Sequence, residues 1–248
     1  MEAKTEHLVG WIRATNRPEG SDETLLDEKM PPGIRIMSLT MNFTRGTEEE
    51  FGAAMPAYEE KVAEFAAMPV NLIRPGGAPP FMLLGFAGER QVISNWEKTY
   101  GVPMFTSGQN HVRALRTLGV NSFVGASYFP EKMNGLFARY FRQAGFPVLA
   151  MEGIEVPFAE VPKLPPERIY DHVRGLFAKH PEAEGVYLLG SAWKCLEIIA
   201  PLEQALGVPV LHPAAARCWE TQLRLGFRQP IPGYGRLLTE MPAAVPLD

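Results

Sequence analysis

The chain has 248 residues, a formal net charge of −4 and 46% hydrophobic residues, enough to bury one large core or two smaller ones. The slight acidity and the lack of a basic face exclude a nucleic-acid binder, and two cysteines, Cys195 and Cys218, make neither a disulfide framework nor a metal-ligand spacing, which suits a reducing compartment. No apolar run reaches the length of a membrane span and the start MEAKTEH lacks a secretory pattern, so a soluble, cytoplasmic protein without membrane attachment is expected.

In chain order, His7–Arg13 and Ile34–Thr40 are predicted strands, separated by a polar, Pro- and Gly-containing stretch over 14–33 that is expected to be a surface loop. Periodicity predicts one helix over Glu48–Ala67, with acidic residues in its first turn. A strand at Pro69–Arg74, a helix over 86–99 and a strand at Val102–Phe105 complete the first half. The second half repeats the scheme: strand Ser122–Ala126, a helix from about Pro130 to Gly145, strand Pro147–Met151, helix Pro166–Lys179, strand Gly185–Leu189, helix Ala192–Leu206, strand Val208–Leu211 and helix Ala214–Leu225. The Pro-rich stretch 152–165 is expected to be a surface connection. Strands alternating with helices predict parallel sheets with right-handed crossovers.

A quasi-repeat runs through this order. GVPMFTSGQNHVRALRTLG, from Gly101 to Gly119, returns as GVPVLHPAAARCWETQLRLG, from Gly207 to Gly226. Upstream of each copy stands an apolar strand ending in small residues, at Gly76-Gly77 in the first and Gly190-Ser191 in the second. The fold class expected is therefore α/β, with two pseudo-symmetric flavodoxin-like halves of four parallel strands each and the active site between them. The first half would comprise residues 1–109 plus about 227–248, the second 110–226. Ligands in open α/β sheets lie beyond the carboxyl ends of the strands, which directs attention to Gly77 and Ser191.

Several segments carry a family resemblance: LLGSAWKCLEIIAPLEQALGVPVL, PGYGRLL at 232–238, GGAPPF, and ASYFPEKMN at 126–134. Over about residues 8 to 238 the chain resembles arylmalonate decarboxylase and, more broadly, the aspartate/glutamate racemase superfamily, which includes maleate cis-trans isomerase. The resemblance implies an active site between the halves. Racemases of the superfamily carry a cysteine at each strand end, and the decarboxylase keeps only the second, with glycine at the first. Here the first position is Gly77 and the second Ser191, so both family cysteines are absent. Glycine and an unactivated hydroxyl supply no pair of groups for two-base racemisation, and a cysteine nucleophile for isomerisation is missing too.

The resemblance thus implies a lyase of the decarboxylase type acting on a small, aryl-substituted or similar carboxylic acid through an enediolate-like intermediate. Tyr128 matches a hydroxyl in the family's carboxylate cradle, with Ser127 before it, and the Ala192 amide matches a second donor. The hydroxyl side chains that follow the first glycine in the family are replaced here by Ala78 and Pro79. Ser191 stands where the proton donor would be, or caps helix 192–206. His212, at a strand end, offers an imidazole that titrates in the useful range, or serves as a cap. Cys195 is either a second thiol on the face of Ser191 or a buried core residue.

Arg13 and Arg74 at strand ends, with Thr15, Asn16, Asn42 and Thr44 in the adjoining loops, are further candidates to hold a carboxylate. Phe81, Phe129 and Trp193 would line an apolar pocket or belong to the core. Tyr234 is expected to be a structural turn residue. No GxxxxGK[ST], GxGxxG or HExxH motif occurs, so no nucleotide, metal or other cofactor is expected. The competing readings are an isomerase, a Ser/His hydrolase built on Ser191 and His212, and a carboxylate-binding protein without turnover. The partner expected is a small carboxylate, and a homo-oligomer is compatible with the sequence.

Overall fold

A computed structural model describes residues 6–15, 22 and 24–247. Strand β1 (His7–Arg13) lies between β2 (Ile34–Thr40) and β3 (Leu72–Pro75), parallel to both. As the middle strand it is buried, and Phe65 packs so closely over Gly10 that a β-carbon there would lie 2.6 Å from the ring. The second sheet has the order β5-β4-β6-β7, with β4 (Phe123–Ser127), β5 (Val148–Gly153), β6 (Val186–Leu188) and β7 (Val210–Leu211), again all parallel. Every residue of β4 and β6 is buried, as expected for parallel strands covered by helices on both faces.

Two parallel sheets flanked by helices are the expected architecture, but among the described residues the first has three strands rather than four. The predicted strand at 102–105 is reduced to one bridge, in which the Ile73 N–H donates to Pro103 O (3.0 Å) and the Phe105 N–H to Ile73 O (3.3 Å). Pro103 has no N–H with which to extend the ladder.

Proline also reshapes two predicted helices. The single helix expected over 48–67 is split into α1 (Glu48–Gly52) and α2 (Met55–Ala66), because the Pro56 ring would clash with the carbonyl four residues earlier in a continuous helix. The helix expected over 192–206 starts late, as a 3-10 turn at Leu196–Ile198 followed by α8 (Ile199–Leu206). Pro201 sits in the first turn of α8 and limits its extension toward the N-terminus. Residues 190–195 are left irregular, so Ser191 is not a helix cap. The backbone N–H groups of Cys195 and Leu196 instead donate to the Asp22 carboxylate, at 2.5 and 2.8 Å.

The remaining helices are α3 (Ala78–Met82), α4 (Gly85–Tyr100), α5 (Ser107–Thr117), α6 (Glu131–Gln143), α7 (Pro166–Lys179), α9 (Pro213–Arg224) and α10 (Arg236–Glu240). None of the helices of the described residues is long and apolar enough to cross a membrane. Helices α5 and α9 are the two copies of the quasi-repeat, and they pack on each other. Buried Asn110 of α5 donates to Ala216 O (3.0 Å) and to the Glu220 carboxylate (2.8 Å) of α9. The chain after residue 226, expected to complete the first half, is tied to this pair: Trp219 Nε1 donates to Pro242 O (2.9 Å), and Arg116 donates to Leu247 O (2.8 Å).

Candidate active site

The carboxyl ends of the strands in both sheets open onto one cavity. From the first half it is lined by Gly76, Gly77, Ala78 and Pro79. Tyr128, Gly190, Ser191 and Ala192 line it from the second. Gly77 and Ser191, equivalent in the two halves, are thus brought to one site.

The glycines at this site are dictated by geometry. Gly77 has φ +91°, and a β-carbon there would lie 2.9 Å from the Tyr58 hydroxyl and 3.0 Å from Ala14 Cβ. Tyr58 itself donates to the Gly76 carbonyl (2.5 Å), fixing the turn. Gly190 has φ +100°, and the Tyr128 hydroxyl lies where its β-carbon would be. Glycine is the residue that accepts this left-handed region without steric cost. Tyr128 is buried, with its ring against Trp193 (5.4 Å between centroids) and Phe129 (4.7 Å).

Two segments expected to be surface loops close the cavity. Ala14 and Thr15 from the first contribute to its lining, and Asp22 ties that loop to the 195–196 turn. Phe158, in a 3-10 turn (Phe158–Lys163) of the second, lies beside Tyr128 and Phe129 at 6.2 and 6.4 Å. Phe43, Phe51, Phe129 and Phe158 make a continuous aromatic wall, with Phe43–Phe51 at 5.2 Å and Phe51–Phe129 at 6.2 Å. Of the aromatic candidates, Phe129 lines the cavity, whereas Phe81 and Trp193 are fully buried in the core outside it.

Other predicted residues stand apart from the cavity. Ser127 is fully buried; its hydroxyl donates to Asn134 Oδ1 (2.6 Å) and accepts from the Phe129 N–H (3.0 Å), which fixes the turn that presents Tyr128. His212 is fully buried and caps α9, its Nδ1 accepting from the Ala214 N–H at 3.2 Å. Burial and then the Arg217 charge push its pKa down to about 3, so the ring is neutral. Arg74 is buried away from the cavity, paired with Asp27 (3.0 Å) and donating to Thr221 Oγ1 (3.2 Å). Arg13 stacks on Trp11 at 5.1 Å and lines a separate surface depression with Asp27.

Asn42 is exposed in a left-handed turn with φ +59°. Thr44 is exposed and donates to Glu50, and Asn16 lies outside the described residues. Tyr234 is a turn residue beside Lys29. Cys195 is wholly buried and its thiol is pushed well above the ordinary range by desolvation, while burial pushes Cys218 up to about 12. Neither offers a thiolate. Among the described residues no group of three His, Cys, Asp or Glu is placed to hold a metal ion.

The structure adds residues that motif reasoning passed over: Trp11, Ser107, His111 and Arg217 all line the cavity. His111 is 1% exposed, its Nδ1 is 2.8 Å from the Tyr187 hydroxyl, and burial, then the His212 and Arg217 charges, lower its pKa to about 3. Arg217 lies over Trp11 at 4.2 Å and 3.8 Å from Asp27. A signal for this pair was present, since His111 and Arg217 occupy the same position, 10 residues after the opening glycine, in the two copies of the quasi-repeat.

Two parallel α/β halves thus share one cavity at their strand ends, in a pseudo-twofold arrangement. The profile of the arylmalonate decarboxylase family matches residues 28–238, and the chain belongs to that family. Arylmalonate decarboxylase of Bordetella bronchiseptica is 27% identical over 146 residues, which is 56% of this chain and 59% of that protein, so the match spans less than two thirds of the relative's length.

Among solved structures, the maleate isomerase Iso from Pseudomonas putida S16 superposes with a TM-score of 0.86 at 17% identity, covering 96% of this chain and 100% of the other. A Gly-to-Cys, Cys-to-Ser double mutant of arylmalonate decarboxylase in its liganded form gives 0.86 at 18% identity, with 94% and 99% covered. Maleate cis-trans isomerase of Nocardia farcinica bound to TRIS gives 0.85 at 20%, with 94% and 98% covered. These structural likenesses share the fold of this chain.

Proposed function

We propose that the protein is a cofactor-independent carbon–carbon lyase of the decarboxylase type, acting on a small carboxylic acid through an enediolate-like intermediate. The observation that carries this reading is the convergence of Gly77, Tyr128 and Ser191 on one cavity with an aromatic wall. A carboxylate held at the strand ends by the Tyr128 hydroxyl and the Ala192 amide would take up the developing charge, as oxyanion donors do. The carboxylate to be lost would face Phe43, Phe51, Phe129 and Phe158, where desolvation disfavours its charge. The C–C bond to that group breaks, its electron pair passes into the enediolate, and CO₂ leaves. A proton then moves from the Ser191 hydroxyl to carbon and is replaced from water. Of the two proton donors weighed from the sequence, Ser191 is favoured because it lines the cavity, whereas His212 is neutral and occupied as a helix cap.

The test is release of CO₂ from phenylmalonate and methylmalonate by the wild type and Ser191→Cys, with binding followed in parallel by calorimetry. A thiol is a better proton donor to a carbanion than an alkyl hydroxyl, so Ser191→Cys should raise the rate at least roughly tenfold, about 1.4 kcal/mol of barrier. If both proteins bind a malonate and neither releases CO₂ above the buffer rate, the lyase reading falls and a carboxylate-binding protein replaces it.

A further inference from the structure

The cavity has two chemically distinct sides. One is the aromatic wall; the other is built where the two copies of the quasi-repeat meet, by Ser107, His111 and Arg217 beside Trp11. His111 and Arg217 come from helices α5 and α9, which the Asn110 hydrogen bonds to Ala216 and Glu220 lock together. Pseudo-symmetry therefore places two equivalent positions on one wall of the site, and the chain has furnished both with nitrogen donors.

We propose that Arg217 and His111 form an anion subsite that selects an acid whose side arm carries an anionic group in addition to the reacting carboxylates. The inference rests on the reading of this cavity as the substrate site and adds the class of side arm it accepts.

Arg217 is presented rigidly, with its guanidinium stacked on the Trp11 ring at 4.2 Å and steered by Asp27 at 3.8 Å. A planar guanidinium is the side chain best suited to a carboxylate. His111 is the second, independent sign. Its Nδ1 is engaged by Tyr187 at 2.8 Å, while Nε2, in a residue only 1% exposed that lines the cavity, has no protein partner among the described residues. A buried polar atom left without a partner costs free energy that a bound ligand recovers. In the tautomer in which Tyr187 donates to Nδ1, the neutral ring carries its proton on Nε2 and is a donor, and it is this tautomer that a bound anion selects. An uncharged donor beside an arginine suits an anion and repels nothing. An aryl side arm would leave the His111 Nε2 without a partner, so an aryl-substituted malonate is the poorer ligand here.

The experiment is calorimetric titration of the full chain with methylmalonate, phenylmalonate and ethane-1,1,2-tricarboxylate, which adds one carboxylate to the methyl arm of the first. The wild type should bind the tricarboxylate at least tenfold more tightly than methylmalonate. In Arg217→Gln that preference should vanish, and Arg217→Lys should restore part of it. His111→Gln, which leaves the Asp27 and Trp11 contacts of Arg217 intact, should reduce the preference severalfold and serves if Arg217→Gln fails to fold.

Equal wild-type affinity for methylmalonate and the tricarboxylate, or a preference that survives in Arg217→Gln, would overturn the subsite while leaving the lyase reading standing. Binding with the stated preference but without CO₂ release would do the reverse. Failure of every acid to bind would remove the site and the subsite together.

Discussion

The two halves of the molecule share a plan and differ in chemistry. At the end of β3, the first half offers Gly76, Gly77, Ala78 and Pro79, a turn without a donor side chain that shapes the cavity by steric closure alone. At the ends of β4 and β6, the second half offers the hydroxyls of Tyr128 and Ser191 and the turn at Ala192. The same division appears where the quasi-repeat helices begin. Helix α9 is capped by its own His212, whereas the start of α5 lies against buried Glu89, whose carboxylate sits beside Gly108 and accepts from the Tyr140 hydroxyl of α6. A pseudo-symmetric frame thus preserves backbone positions, while side chains at equivalent places are free to diverge.

Four variants would break or sharpen this contrast. The largest effect is expected at Tyr128. Tyr128→Phe keeps the ring against Trp193 and removes only the hydroxyl. Turnover of any acid the protein decarboxylates should fall by about 10²–10³, the usual cost of one oxyanion donor, with the melting temperature nearly unchanged. Unaltered turnover and affinity in a folded Tyr128→Phe protein would make this a packing residue and place the chemistry elsewhere.

Next comes the backbone beneath it. Gly190→Ala would force a β-carbon into the Tyr128 hydroxyl at a positive φ, combining strain with overpacking for about 3 kcal/mol, read as a fall in the urea midpoint. Gly77→Ala meets slightly longer contacts to Tyr58 and Ala14 and should cost less. The opposite order would show that the first-half turn is the more tightly built of the two.

The smallest effect concerns the different caps of the two repeat helices, and it is a change in pH dependence. Burial raises the Glu89 pKa to about 7, so the folded state favours its protonated form. Its contribution to stability is fully present below pH 4.5 and is lost as pH rises through 7. His111 and His212, both lowered to about 3, act in the other direction: their contribution is present above pH 6.5 and is lost as pH falls toward 3. Between pH 5 and 6.5 the terms oppose. Glu89→Gln should therefore steepen the acid side of the stability–pH curve by about 1.4 kcal/mol per pH unit, measured by urea unfolding at several pH values. Parallel curves for wild type and Glu89→Gln would mean that the carboxylate stays ionised in the fold.

Much of this organisation was legible in the chain itself. Apolar strand-length runs, the return of Gly-Val-Pro at Gly101 and Gly207, and the small residues closing each preceding strand were enough to predict two parallel α/β halves and to pick out Gly77 and Ser191, whereas Tyr128 was singled out by the family resemblance. Backbone patterns of this kind are local, and local sequence records them. Proline spoiled the prediction in three places: Pro103 cut a strand to one bridge, Pro56 split a helix, and Pro201 delayed another. In each case a single missing N–H or ring clash outweighed a continuing apolar pattern.

Only the tertiary structure separated residues that looked alike as letters. Arg74 and Arg217 are both arginines near strand or helix ends, yet one is consumed by Asp27 and Thr221 inside the protein and the other lines the cavity. His212 and His111 divide in the same manner, one a helix cap and the other part of the cavity wall. The loops at 14–15 and 158 join the site because Asp22 hydrogen-bonds across 173 residues of sequence and Phe158 packs on Tyr128. The sequence by itself determined the repeating backbone, since periodicity and turn chemistry are properties of neighbouring residues. Which side chains share the cavity was decided by packing between segments far apart in the chain, where burial and the nearest partner set what each group can do.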